Sequence, residues 1–109
     1  MAIAIFVQRG EQIHYVPTTD RAAGEVVVQG DFVGVTVRPI AANTLGTLVV
    51  SGVFDFPKST GAAYTAGQVL YWDDANKVAT DTATGNKLLG KAVQAAGAGT
   101  TTVRVLLSQ

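Results

Sequence analysis

The sequence predicts an all-β domain, a small β-sandwich or partly open β-barrel of short antiparallel strands. Short runs rich in Val, Ile, Thr and aromatic residues recur along the chain, bounded by Gly, Asp, Asn and Ala-Gly punctuation. The last of them, Thr101-Thr102-Val103-Arg104-Val105-Leu106-Leu107, partly alternates polar Thr102 and Arg104 with Val103 and Val105, as a strand with one wet face does. Helical tolerance is confined to Lys58-Ser59-Thr60-Gly61-Ala62-Ala63-Tyr64-Thr65-Ala66, where Gly61 weakens it; this reads as a loop with room for one helical turn.

Strands are expected near 3–8, 12–16, 25–29, 32–38, 46–54, 68–72, 77–80, 88–94 and 101–107. The first rests on Ile3, Ile5, Phe6 and Val7, the second on Ile13, Tyr15 and Val16. Val26, Val27 and Val28 carry the third, and Val33, Val35 and Val37 the fourth. Gln29-Gly30-Asp31 between them reverses the chain, since glycine accepts a positive φ. Leu48, Val49, Val50 and Val53 carry the fifth. Asp73-Asp74-Ala75-Asn76 is a tight reversal between the sixth and seventh, its Asp and Asn side chains answering local backbone donors. Pro17 and Pro39 fall just past strand ends, where a missing N–H costs little. Residues 1–10 form an arm or edge strand, and residues 11–109 a single β domain.

There is a faint internal repeat. Ala23-Gly24-Glu25-Val26-Val27-Val28 echoes Ala66-Gly67-Gln68-Val69-Leu70-Tyr71, and Phe32-Val33-Gly34-Val35-Thr36-Val37 echoes Leu88-Leu89-Gly90-Lys91-Ala92-Val93. An Ala-rich loop and a strand follow each echo. The second copy carries an extra hairpin around Asp73-Asp74-Ala75-Asn76. Two related β units account for this; chance similarity between Val/Gly-rich strands is the alternative.

Bulk composition narrows the function. A chain of 109 residues fits one domain, and 48% hydrophobic content is too high for a disordered chain. Eight basic and eight acidic residues leave a formal net charge of zero without a basic cluster. Phosphate-backbone affinity comes from Lys and Arg displacing counterions, so nucleic acid is a disfavoured partner; near-zero charge favours association with protein. Cysteine is absent, which excludes disulfides and thiolate chemistry. No run approaches the ~18–20 apolar residues of a membrane helix, and the apolar start lacks the charge and length of a signal peptide. The expectation is a soluble protein made in the cytoplasm, with no membrane partner.

No catalytic, cofactor or metal site is expected. Gly85-Asn86-Lys87-Leu88-Leu89-Gly90-Lys91-Ala92 matches the start of a phosphate-binding loop, but Ala92 stands where the Mg²⁺-binding hydroxyl belongs, and glycine interrupts the helix that should follow. Asp73, Asp74, Asn76 and Asp81 lack the spacing of a calcium loop and its closing Glu; a solvated hairpin turn is the simpler reading. His14 is the only histidine and has no nucleophile signature beside it; it reads as a half-buried strand residue. Tyr71 and Trp72 adjoin in one strand and so point to opposite faces. One suits the core and the other a contact between copies; the pair is the candidate oligomer interface. Ala2, Ile3, Ala4, Ile5, Phe6, Val7 and Gln8 form an apolar, extended segment whose free backbone groups suit pairing with another chain. An ordinary first strand of the sheet is the alternative.

Taken in order, Phe6-Val7-Gln8-Arg9-Gly10-Glu11, Ala23-Gly24-Glu25-Val26-Val27-Val28 with Gly34-Val35, Gly52-Val53-Phe54-Asp55-Phe56-Pro57-Lys58, Gly67-Gln68-Val69-Leu70-Tyr71-Trp72-Asp73-Asp74, Leu89-Gly90-Lys91-Ala92 and Gly99-Thr100-Thr101-Thr102-Val103-Arg104-Val105-Leu106 resemble the tailed-phage capsid cement, or decoration, proteins. Some relatives have carried a RecA/RadA-type recombinase label, which the defective phosphate loop and the short chain contradict here. The resemblance implies a β-rich virion protein on the capsid exterior, bridging neighbouring major capsid protein subunits after expansion. A homotrimer fits that role, and the apolar residues 2–8 are the expected capsid-binding segment, with no cofactor. A head-fibre base or host-surface adhesin is the alternative role; a recombination-associated nucleotide- or DNA-binding protein is disfavoured.

Overall fold

The computed structural model describes residues 11–107. Nine strands fill that span: β1 (Gln12–Tyr15), β2 (Val26–Gln29), β3 (Phe32–Val35), β4 (Gly46–Val49), β5 (Gly52–Pro57), β6 (Val69–Asp73), β7 (Val78–Thr80), β8 (Lys87–Ala92) and β9 (Thr102–Leu107). They form two antiparallel sheets, one of order β1-β4-β3-β2 and one of order β5-β9-β8-β6-β7. The fold is all-β, as the sequence predicts, with no helix among the described residues. The expected strand at 3–8 lies outside them.

One local expectation needs correction. The run at 46–54 is two strands in different sheets, β4 and β5. At Gly52 φ is +128°, a conformation that side-chain-bearing residues avoid, and there the chain leaves one sheet for the other. Residues 58–66 form a loop, as expected, and the room for a helical turn is not used. Gly61 takes φ +97°, and its N–H donates to Ala98 O at 2.7 Å. Tyr64 and Ala96 then exchange backbone hydrogen bonds at 3.0 and 2.9 Å, tying the loop down as an isolated bridge.

The faint repeat is a structural one. Each sheet places its strands in the order first-fourth-third-second, the five-stranded sheet adding β7 at its edge. The same hydrogen bonds recur at matching positions. Gly24 N–H donates to Thr36 O at 2.6 Å, and Gly67 N–H donates to Ala92 O at 2.7 Å. Thr36 N–H donates to Glu25 O, and Ala92 N–H to Gln68 O, both at 3.0 Å. The Arg21–Ile40 bridge of the first unit matches the Tyr64–Ala96 bridge of the second. Ile13 faces Leu48 across β1 and β4, as Phe54 faces Val105 across β5 and β9. Val27 faces Gly34 as Leu70 faces Gly90.

Two apolar clusters hold these units. The larger joins Phe56, Leu70, Trp72, Leu89, Val103, Val105 and Leu107 with Val33 and Val35, so one face of the four-stranded sheet packs on the second unit. Phe56 and Trp72 meet with ring centroids 5.9 Å apart and planes inclined at 59°. The smaller cluster (Tyr15, Val27, Ile40, Leu48 and Val50) fills the other face of the four-stranded sheet. β5 and β7 approach at a single parallel bridge, Lys58–Ala79, without closing a barrel.

Candidate interaction surface

Strand register arranges the exposed apolar residues into a surface. On the outer face of the five-stranded sheet Val53 pairs with Leu106, Leu106 with Lys91, and Lys91 with Val69. This is one row across four strands, and all four residues are exposed, Val53 by 54% and Leu106 by 42%. A second row sets Asp55 against Arg104, with Val93 N–H bonded to Arg104 O at 2.9 Å. Arg104 Nε and Nη2 both donate to the Asp55 carboxylate, at 3.0 and 3.3 Å. That fork holds the Asp55 carboxyl below the usual carboxylate range and raises the guanidinium further. Tyr71 pairs with Leu88 beyond the shift in register between Leu70 and Tyr71.

The matching row of the four-stranded sheet is Val69's counterpart Val26, then Val35, Val49 and Gln12. There Val26 and Val35 pack against the second unit. The five-stranded sheet therefore leaves open a surface whose equivalent the molecule itself buries. An open β face carrying Val, Leu and Tyr beside a held ion pair has the composition of a protein contact.

Trp72 is only 2% exposed and belongs to the core, its Nε1 donating to Asp74 Oδ1 at 3.1 Å. Tyr71 is half-buried on the outer face, so the two aromatics divide as their adjacency requires. The segment Ala2, Ile3, Ala4, Ile5, Phe6, Val7 and Gln8 lies outside the described residues. Alternation could identify Val53, Arg104 and Leu106 as one outward face; joining them to Lys91 and Val69 required the register, which the sequence does not state.

The chemical candidates sit elsewhere. Residues 87–92 of the phosphate-loop-like stretch form β8, and Lys91 stands on the outer face. This extended backbone has no loop-to-helix turn to cradle a phosphate. Asp73 accepts from Asn76 N and Nδ2 at 3.2 and 2.8 Å, which lowers its carboxyl from the ordinary range. Asp74 accepts from Lys77 Nζ at 2.7 Å, the chief cause of its own lowering. Both carboxylates are thus spent on the β6–β7 turn, and among the described residues no three acidic, His or Cys groups converge as a metal site. His14 is exposed on β1 opposite Thr47, not half-buried. Lys58 is 4% exposed; its Nζ donates to Ser59 O at 3.2 Å and Ala62 O at 2.6 Å, pinning the loop that follows β5.

No helix among the described residues is long and apolar enough to cross a membrane. Comparison with curated proteins and with solved structures returns no match. A protein-family model, described as phage cement protein, matches residues 7–107, nearly the whole chain, so the chain belongs to the phage cement protein family, a structural component of the phage capsid.

Proposed function

We propose that this protein binds the outer surface of the expanded phage head and cements neighbouring major capsid protein subunits. The family match over residues 7–107 carries the reading, and the open face of the five-stranded sheet supports it. Val53, Val69, Val93 and Leu106 offer apolar area that a partner chain can cover. Residues 2–8 supply the main capsid contact by lying along, or adding a strand to, a capsid subunit. Copies assemble as a homotrimer, which matches a threefold position of the lattice, and Tyr71 rather than the interior Trp72 meets the neighbouring copy. Weak contacts repeated over the shell then add through avidity.

Co-sedimentation with expanded, undecorated heads tests this, with unexpanded proheads as control. Saturable binding to expanded heads alone is expected. Deleting residues 2–8 should abolish that binding while the thermal transition of the domain persists. Equal binding to both particles, or to neither, overturns the reading; unchanged binding by the deletion variant overturns the role of the segment.

A further inference from the structure

An open groove of about 860 Å³ lies where the two units meet. Gln29, Gly30, Asp31 and Phe32 line one side, and Asn86, Lys87 and Leu88 the other. Asp31 and Lys87 occupy matching positions of the two units and join at 2.7 Å across it. Phe32 and Leu88, also a matching pair, present apolar side chains that are 47% and 39% exposed.

The chain's own beginning has both the reach and the chemistry to fill this groove. β1 and β3 are each antiparallel to β4 and so run parallel to one another. Gln12 is level with Val49 and thus with Val35, at the far end of β3 from Phe32. The direction leading back from Gln12 is therefore the direction of the groove. Two strand spacings across and three residues along put Phe32 roughly 14 Å from Gln12. Each extended residue advances up to about 3.6 Å, so the four steps from Gln12 back to residue 8 cover about 14 Å and bring residues 2–8 to the groove. Residues 2–8 carry no charged side chain, and Ile3, Ile5, Phe6 and Val7 match apolar walls.

We propose that in the free protein residues 2–8 fold back into the groove of their own chain, covering Phe32 and Leu88. The docking stands independently of the capsid role; its consequence rests on that reading. A capsid that needs the same segment must compete with the groove, and its apparent affinity is reduced by the docked fraction.

The test is NMR on the full-length free protein with labelled methyl groups. Contacts from the Ile3 and Ile5 methyls to the Phe32 ring are expected within one chain. Phe32→Ser and Leu88→Ser should each move those methyl signals to free-peptide positions, while the core methyls of Leu70 and Val105 stay in place. Absence of the contacts in the unaltered protein overturns the proposal. So do methyl positions that neither substitution changes. Contacts seen only between labelled and unlabelled copies also overturn it, seating the segment of a second copy instead. No capsid is present, so these outcomes are distinct from failure of the cement reading. That reading adds one expectation, that Phe32→Ser binds expanded heads more tightly than the unaltered protein.

Discussion

Where the first unit places Ile13, Val27, Ile40 and Leu48, the second places Phe54, Leu70, Ala96 and Val105, and it adds Trp72 and Tyr64. The hydrogen-bonded frame is shared, but its volume is distributed differently. In the first unit a large Leu48 occupies the space a side chain at Gly34 would need, since a Cβ there would lie 2.4 Å from Leu48 Cγ. In the second, the smaller Val105 faces Phe54, and the matching Gly90, at φ +156°, borders the register shift opposite Leu70 and Tyr71. One glycine provides space and the other backbone freedom. A shared strand order thus fixes the ladder and leaves the filling to each unit.

The comparison is broken most severely at Trp72. Trp72→Ala should cost about 3–5 kcal/mol, much of a small domain's stability, seen as a large fall in the urea midpoint. Gly34→Ala should cost about 1–3 kcal/mol by overpacking against Leu48. Adding Leu48→Ala should make the double variant less unstable than the sum of the two single changes, which a double-mutant cycle in urea would reveal. Lys58→Met removes two hydrogen bonds from a buried ammonium; a loss of about 1–2 kcal/mol is expected in the same assay. Val53→Ser with Leu106→Ser should alter stability by no more than about 0.5 kcal/mol per site while weakening co-sedimentation with expanded heads.

The smallest effect expected is that of pH. Hydrogen bonds from Lys87, Arg104, Asn76 and Lys77 hold the carboxyls of Asp31, Asp55, Asp73 and Asp74 below their ordinary range. A carboxyl lowered by folding adds stability above its unfolded pKa and loses it as the pH falls through the folded value. The melting temperature should therefore be level from about pH 5 to pH 8 and decline below about pH 4. The decline should be shallow, because these pairs are exposed and solvent screens them.

Much of this fold was legible in the residues. Strand positions followed from β-branched runs between turn formers, and the repeat from Ala-Gly-x-Val and the glycines of β3 and β8. The sheet change at Gly52 was not, because Leu48, Val49, Val50 and Val53 read as one β run and the sequence does not record a glycine's φ. Trp72 and Tyr71 were seen to part, but which one turns inward depends on how β6 packs. The groove was illegible for a further reason: its walls stand far apart in sequence and meet only because matching strands of two units pack together.

In each sheet the strand that comes last in the repeat sits second in space, and in the five-stranded sheet that strand is β9. During synthesis the four strands described for the first sheet are all present once Val49 is made. The second waits for Leu107, with β5 lacking its antiparallel neighbour and β8 open along one side. A chain cut short before β9 would therefore carry two unpaired strand edges and an uncovered Phe56–Trp72 cluster, a combination that invites aggregation. Completion of the C-terminal strand is thus the event that turns a sticky nascent chain into a sealed domain.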